Sequence, residues 1–395
     1  MTQKASFSPS TQARFPPSPQ ARFPLTTAVC EISDPCHWNQ EKLNLFYQSC
    51  KEMAQFHYQN NAVIRALYDQ YQFNPSSIAS EADLEKIPAL GVTAMKYHLF
   101  TSMNENESVL RLTSSGTRGQ KTQVLFDQGS LDRVQRMMDV YFEQEGFVSS
   151  ESNNYFIFNY DPDDAGDLGI AYTEKNQMRF APIADSYFAI KKNARGDWEF
   201  NKQKAYDTLL RYSQSSHPVR LFAMPAFLFE FVQWMREENL PALKFSAESW
   251  IMTGGGWKAA EDKKITREQF RVLCLETFNI PLERQRDAFG MAEHCAPYFE
   301  CSEHRLHVPV FNRVIIRDPV SFEPVANGKA GLMELITSFN AMMPSLAILT
   351  TDYGRLRAEP CECGFQSPTF EIIGRAGLSK HKGCALTASE IVRRV

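Results

Sequence analysis

The stretch that most constrains this chain is Leu112 to Thr122, LTSSGTRGQKT. Gly116 and Gly119 bracket Thr117 and Arg118, with hydroxyls ahead of them at Thr113, Ser114 and Ser115 and an ammonium just after at Lys121. Backbone N–H groups in such a loop curl round an anion, and the hydroxyls and the lysine add charge-assisted contacts. It is not a Walker A loop, which needs four residues between its glycines and a lysine directly after the second. The competing reading is a polar hairpin turn, and the segments downstream decide between the two.

Four of those segments carry chemistry. Met252 to Lys258, MTGGGWK, places three consecutive glycines after an apolar strand. Such a run costs backbone entropy, so it implies a tight turn or close approach of the backbone to something flat. A purine ring against peptide planes meets that need. No G-x-G-x-x-G spacing opens a helix here, which disfavours a dinucleotide fold. The others are FGMAE from Phe289 to Glu293, TTDYGR from Thr350 to Arg355, and IIGRAG from Ile372 to Gly377.

Taken in this order, the five segments resemble the motifs of adenylate-forming enzymes, and in detail those of LuxE-type acyl-protein synthetases. The resemblance runs from Leu112 to the C-terminus. It implies an α/β fold: a large adenylation domain with mixed β-sheets and flanking helices. It also implies ATP and Mg²⁺ as cofactors and a fatty acid substrate. The loop, with Lys121, would hold phosphate; Gly254, Gly255, Gly256 and Trp257 would line the adenine. Phe289, Gly290 and Met291 belong to the aromatic motif, with Phe289 stacking on the base and Glu293 holding the magnesium. Asp352 would take the ribose, and Arg375 marks the hinge. Two departures stand out. Ala292 occupies the place of the family's usual threonine, and Leu378 a place that is often acidic.

Family members normally continue past the hinge into a mobile domain with a catalytic lysine. This sequence runs only to Val395, so that domain is read as reduced to a stub. The expected organisation is a disordered or loosely docked tail over 1–28, an adenylation domain over 29–373, and a hinge with stub over 374–395. The stub contains Cys384, preceded by Lys380, His381 and Lys382. Nearby cations favour the thiolate, the nucleophilic form. In the resembling family an acylated cysteine lies in such a segment, which makes Cys384 the expected acceptor. The acyl group would then pass to a partner acyl reductase. Two alternatives remain open: an acyl-CoA ligase, and a catalytically silent nucleotide- or acyl-binding protein.

Cysteine usage adds a further site. Nine cysteines at irregular spacing do not form a disulfide framework in a chain of 395 residues, and in a reducing cytosol they are core thiols, metal ligands or nucleophiles. Zinc takes four Cys or His ligands in a tetrahedron. Cys301, His307, Cys361 and Cys363 are the expected set, with His304 competing for the imidazole place. Four protein ligands leave no open position, so the metal is structural.

Composition bounds the rest. Net charge is −4 with no long basic run, which gives no support to a nucleic-acid partner. No apolar stretch is long enough to span a bilayer, and the N-terminus lacks the apolar core of a secretory signal, so a cytoplasmic protein is expected. The first 28 residues are rich in Ser, Pro and Gln and repeat QARFP at Gln12 and Gln20. Beyond them the pattern predicts helix over Asn39 to Tyr71, strands over Val109 to Thr113 and Gln123 to Phe126, and a helix capped by Ser130.

Overall fold

The computed structural model describes residues 22–113, 122–165, 176, 178–257 and 264–375. They divide into two compact units: 145–289, and 22–144 together with 290–375.

The unit over 145–289 is an α/β layer. Its strands are β4 (Asn153–Tyr160), β5 (Ile183–Lys192), β6 (Trp198–Phe200), β7 (Val219–Ala223), β8 (Trp250–Gly254) and β9 (Gln285–Phe289). They lie in the order β9-β8-β7-β4-β5-β6. All neighbours are parallel except the edge strand β6, which returns antiparallel along β5. Parallel neighbours need crossovers, and the helices Lys202–Ser213, Pro225–Glu237 and Arg267–Phe278 supply them. Pro225 stands in the first turn of its helix, where its missing N–H costs nothing. Thr266 and Gln269 form a reciprocal capping box on the third helix. Against the sheet these helices bury Phe231, Leu209 and Phe278, all 0% exposed, beside Phe156 and Phe158 of β4. Full burial of such a side chain contributes about 1.5–3 kcal/mol. Between β4 and β5, Pro162–Ala165 makes one helical turn.

The other unit begins with α1 (Pro24–Cys30), α2 (Gln40–Asn60) and α3 (Ala62–Gln70). The expected tail boundary at Ala28 therefore falls inside a helix. Phe23 packs on Phe56 with ring centroids 4.8 Å apart, and Thr26 donates to Glu52 at 2.7 Å, so α1 is held by α2. Residues 1–21 lie outside the described residues. The single helix read over Asn39 to Tyr71 is broken at Asn61, whose side chain accepts from the N–H groups of Val63 and Ile64 and starts α3.

After the short helices α4 (Glu81–Leu84) and α5 (Ala94–Tyr97), β2 (Leu110–Thr113) and β3 (Gln123–Phe126) pair as an antiparallel hairpin. α6 (Gln128–Gln144) follows. It starts two residues ahead of Ser130, so Ser130 is not its cap. Ser130 is buried, and its hydroxyl takes the N–H of Ala341 at 2.9 Å. The buried face of α6 runs through Arg133, Met137, Val140 and Tyr141, so its inward stripe is not wholly apolar. The reason is Arg133: its Nε donates to the Phe339 carbonyl at 2.7 Å, so a charged side chain belongs to the inward stripe.

The remaining strands are β1 (Leu90–Gly91), β10 (Tyr298–Phe299), β11 (Leu306–His307), β12 (Asn312–Arg317), β13 (Gly331–Thr337), β14 (Ala347–Leu356) and β15 (Thr369–Arg375). β11-β15-β14-β13-β12 form an antiparallel sheet. β14 is long enough to take two partners on one side: β1 along Ile348 and Leu349, and β15 along Asp352 to Leu356. Among the described residues no helix is long and apolar enough to cross a membrane.

Candidate adenylation site and metal cluster

In the unit over 145–289, the glycine run leaves the C-terminal end of β8. Ligands of open parallel sheets bind at that end of the strands. Gly254 lies in register with Ala288 of β9, so MTGGGWK and FGMAE leave the sheet at one edge. Gly255 and Gly256 have φ of 78° and 68°, the left-handed region that side-chain-bearing residues avoid. A Cβ on Gly256 would meet no atom of the described residues within 4 Å. Thr253 donates to Asp287 across the two strand ends at 2.9 Å, and Arg267 reaches the other oxygen at 3.4 Å. Neither Thr253 nor Asp287 stands out in the sequence, because one reads as strand filler and the other as an isolated acid.

Trp257 corrects the sequence reading. It is 9% exposed and packs between Phe229 and Phe270, at 5.2 and 6.0 Å between ring centroids. Its indole is a core side chain rather than a surface for a base. Phe289 is half-buried at the end of β9, and Gly290 is exposed.

In the other unit, Thr113 pairs with Gln123 at the root of the β2–β3 hairpin. The chain between them holds Ser114, Ser115, Gly116, Thr117, Gly119 and Lys121, which lie outside the described residues, as does Cys384. Thr122 just past the loop is 0% exposed, and its hydroxyl donates to Glu293 at 2.6 Å. Glu293 is itself 5% exposed and sits in a turn closed by the Cys295 N–H on the Met291 carbonyl at 2.8 Å. Asp352 of β14 faces Arg375 of β15, and Arg375 Nε donates to its Oδ1 at 2.8 Å. That hydrogen bond raises the Arg375 guanidinium above its ordinary value, with the Asp352 charge adding to it and burial opposing.

The expected metal ligands converge. One ligand atom from each of Cys301, His307, Cys361 and Cys363 lies within 4.8 Å of all the others. Cys301 and Cys361 sulfurs are 3.6 Å apart, and Cys363 Sγ is 3.3 Å from His307 Nε2. Tetrahedral zinc with Zn–S bonds of about 2.3 Å sets its sulfurs about 3.7 Å apart, so the donor set fits. His307 Nδ1 meets Ser367 Oγ at 2.9 Å, which leaves Nε2 for a metal. Burial lowers its imidazole to about 4, so the ring is neutral, the form that ligates. His304, the competing residue, is turned elsewhere, its Nδ1 3.8 Å from Glu300.

Against known proteins, the model of the LuxE acyl-protein synthetase family matches residues 27–392. The chain belongs to that family. It is accordingly an enzyme, an AMP-forming ligase. The long-chain-fatty-acid–luciferin-component ligase of Vibrio harveyi is 29% identical over 364 residues, 90% of each chain. The Aliivibrio fischeri protein of the same name is 26% identical, covering 92% of this chain and 93% of its own. The phenylacetate-coenzyme A ligase of Thermus thermophilus is a more distant relative, 22% identical over 82% of this chain and 68% of its own. Among solved structures, 2-hydroxyisobutyryl-CoA ligase in its postadenylation state superposes with a TM-score of 0.62 at 13% identity, covering 92% of this chain and 72% of that one. This likeness establishes the adenylate-forming fold.

Proposed function

We propose that this acyl-protein synthetase activates a fatty acid with ATP and carries the acyl group on its own Cys384. A carboxylate oxygen of the fatty acid attacks the α-phosphorus of ATP, the bond to the bridging oxygen breaks, and acyl-AMP and pyrophosphate form. The Cys384 thiolate then attacks the acyl carbonyl and AMP leaves, giving a thioester. A partner acyl reductase takes the acyl group from there.

The observation that carries the reading is the Asp352–Arg375 pair in a chain of this family. A carboxylate that spends one oxygen on Arg375 keeps the other for a ribose hydroxyl. Glycines 254 to 256 offer peptide planes to adenine, with Phe289 on the same strand ends. Lys121 and the loop N–H groups would neutralise charge at the phosphates. Mg²⁺ held by Glu293 would supply charge neutralisation there. Residues 29–373 would serve as the adenylation domain, and 374–395 would carry the hinge and the acyl-accepting Cys384. Zinc on Cys301, His307, Cys361 and Cys363 would act as a structural clip. The reaction takes place in the cytoplasm.

Incubation with ATP, Mg²⁺ and labelled fatty acid, followed by denaturing gel analysis, tests the reading. Label should stay on the protein and be released by hydroxylamine. Label on added coenzyme A instead would make the protein an acyl-CoA ligase, a reading that the similarity to phenylacetate-coenzyme A ligase keeps in view. The absence of both products would leave a silent binding protein.

A further inference from the structure

We infer that Thr122 is a positioning residue for the activation step: its hydroxyl orients the Glu293 carboxylate that receives the divalent cation of ATP. The inference rests on the adenylation reading above and assigns a role to a residue outside the nucleotide-binding set. Three observations carry it.

The first is the contact itself. Thr122 and Glu293 are 171 positions apart and both nearly or fully buried, with 2.6 Å between Oγ1 and Oε1. An ionised carboxylate only accepts, so the hydroxyl must donate, and a bond of this kind is about twice as strong as a neutral one.

The second is that Thr122 stands directly before a paired strand. Its neighbour Gln123 opens β3 and pairs with Thr113, so the hairpin register sets where the hydroxyl stands. Glu293 gets no comparable help from its own turn, since Ala292 beside it carries only a methyl group.

The third is that Glu293 forms no ion pair among the described residues. Arg375 feels its charge without a direct contact. A buried carboxylate is costly unless a charge or a metal compensates it. With one oxygen tied to Thr122, the other is the one left for a cation.

Thr122→Val removes the donor and keeps the shape; Thr122→Ser restores a hydroxyl. Two readouts are needed: the Mg²⁺ concentration giving half-maximal fatty-acid-dependent ATP–pyrophosphate exchange, and Mn²⁺ binding with ATP followed by electron paramagnetic resonance. Thr122→Val should weaken both by about tenfold, as expected for a lost hydrogen bond to a charged group. Thr122→Ser should return both to within about twofold of the unaltered protein, with the melting temperatures of all three alike. Unchanged metal dependence in Thr122→Val would overturn the inference while leaving adenylation intact. So would a fall in melting temperature with no change in Mn²⁺ binding, which marks a purely structural bond. If the unaltered protein itself gives neither exchange nor Mn²⁺–ATP binding, the adenylation reading fails and this inference with it.

Discussion

Arg375 Nε donates to Asp352 Oδ1 at 2.8 Å, between residues that face each other across the β14–β15 ladder. The Asp352 side chain is 7% exposed and the Arg375 side chain 59%, so the acid is fixed while the base reaches solvent. Removing Arg375 leaves a buried carboxylate without its cation. Removing the charge of Asp352 frees an arginine that solvent accommodates.

Asp352→Asn and Arg375→Ala should each lower kcat/KM for ATP in pyrophosphate exchange. A hydrogen bond to a charged group is worth roughly 1.5–3 kcal/mol, so each loss should be about tenfold to a hundredfold. Because the two act as a unit, the double variant should be little worse than the more damaging single one. Losses that multiply in the double variant would show that the residues meet ATP separately.

Much of the fold was legible because the motifs sit at element ends that periodicity marks well. Gln123 to Phe126 was read residue for residue, and the apolar strand expected ahead of the three glycines is β8. The convergence of Cys301, His307, Cys361 and Cys363 was legible because metal chemistry restricts residue type so severely. What escaped depends on long-range contact. Nothing local tells Arg133 from a surface arginine until Phe339, 206 positions away, offers its carbonyl. Trp257 follows the glycines so closely that it reads as part of the adenine site, yet Phe229 and Phe270 claim its ring. Thr122 looks like the last polar residue of a loop, and only folding brings Glu293 to it.

The cysteine–histidine cluster should hold one zinc per chain. Cys361→Ser should lose the metal and lower the melting temperature. The effect should extend to the segment Pro35 to Trp38. The Cys36 carbonyl accepts from the N–H groups of Gln366 and Ser367 at 3.1 and 3.0 Å, and Trp38 lies 4.0 Å from the Arg313 guanidinium. Chelation should therefore shift tryptophan fluorescence toward the red, an effect reduced in Trp38→Phe. Metal-free protein of undiminished stability by elemental analysis and thermal melt would exclude the clip.

Two buried histidines set an acid limit. Burial lowers both His57 and His294 from 6.5 to about 3. His57 Nδ1 meets Ser102 Oγ at 2.8 Å, and His294 Nε2 meets the Tyr298 hydroxyl at 3.0 Å. The folded chain keeps both rings neutral where the unfolded chain protonates them. The stability they contribute is full above about pH 6.5 and is lost as pH falls toward 3. Well inside that window each ring adds a slope of about 1.4 kcal/mol per pH unit. Denaturant melts at pH 7 and pH 5 should show the fall, and His57→Gln should flatten it. An unchanged slope in that variant would mean that His57 protonates in the folded state without cost.

The last prediction separates the two half-reactions. The groups assigned to activation lie between Thr113 and Arg375, and Cys384, the thiol proposed as acceptor, follows them in sequence. Cys384→Ser should therefore leave fatty-acid-dependent pyrophosphate exchange nearly intact. It should abolish hydroxylamine-sensitive acyl label, because a serine hydroxyl without a base is almost wholly protonated at neutral pH and attacks poorly. In the unaltered protein, label should rise with pH as the thiolate forms. Lys380, His381 and Lys382 should set the midpoint below the free-cysteine value of about 8.5, since nearby cations favour the anion. Four other thiols make poor rivals: burial raises Cys30 to about 12, and Cys50, Cys274 and Cys295 higher still. They stay protonated across the range in which Cys384 ionises. Thioester-linked label persisting in Cys384→Ser would move the acceptor to another cysteine. Loss of pyrophosphate exchange in the same variant would place the end segment within the adenylation chemistry, and the division between the two stages would fall.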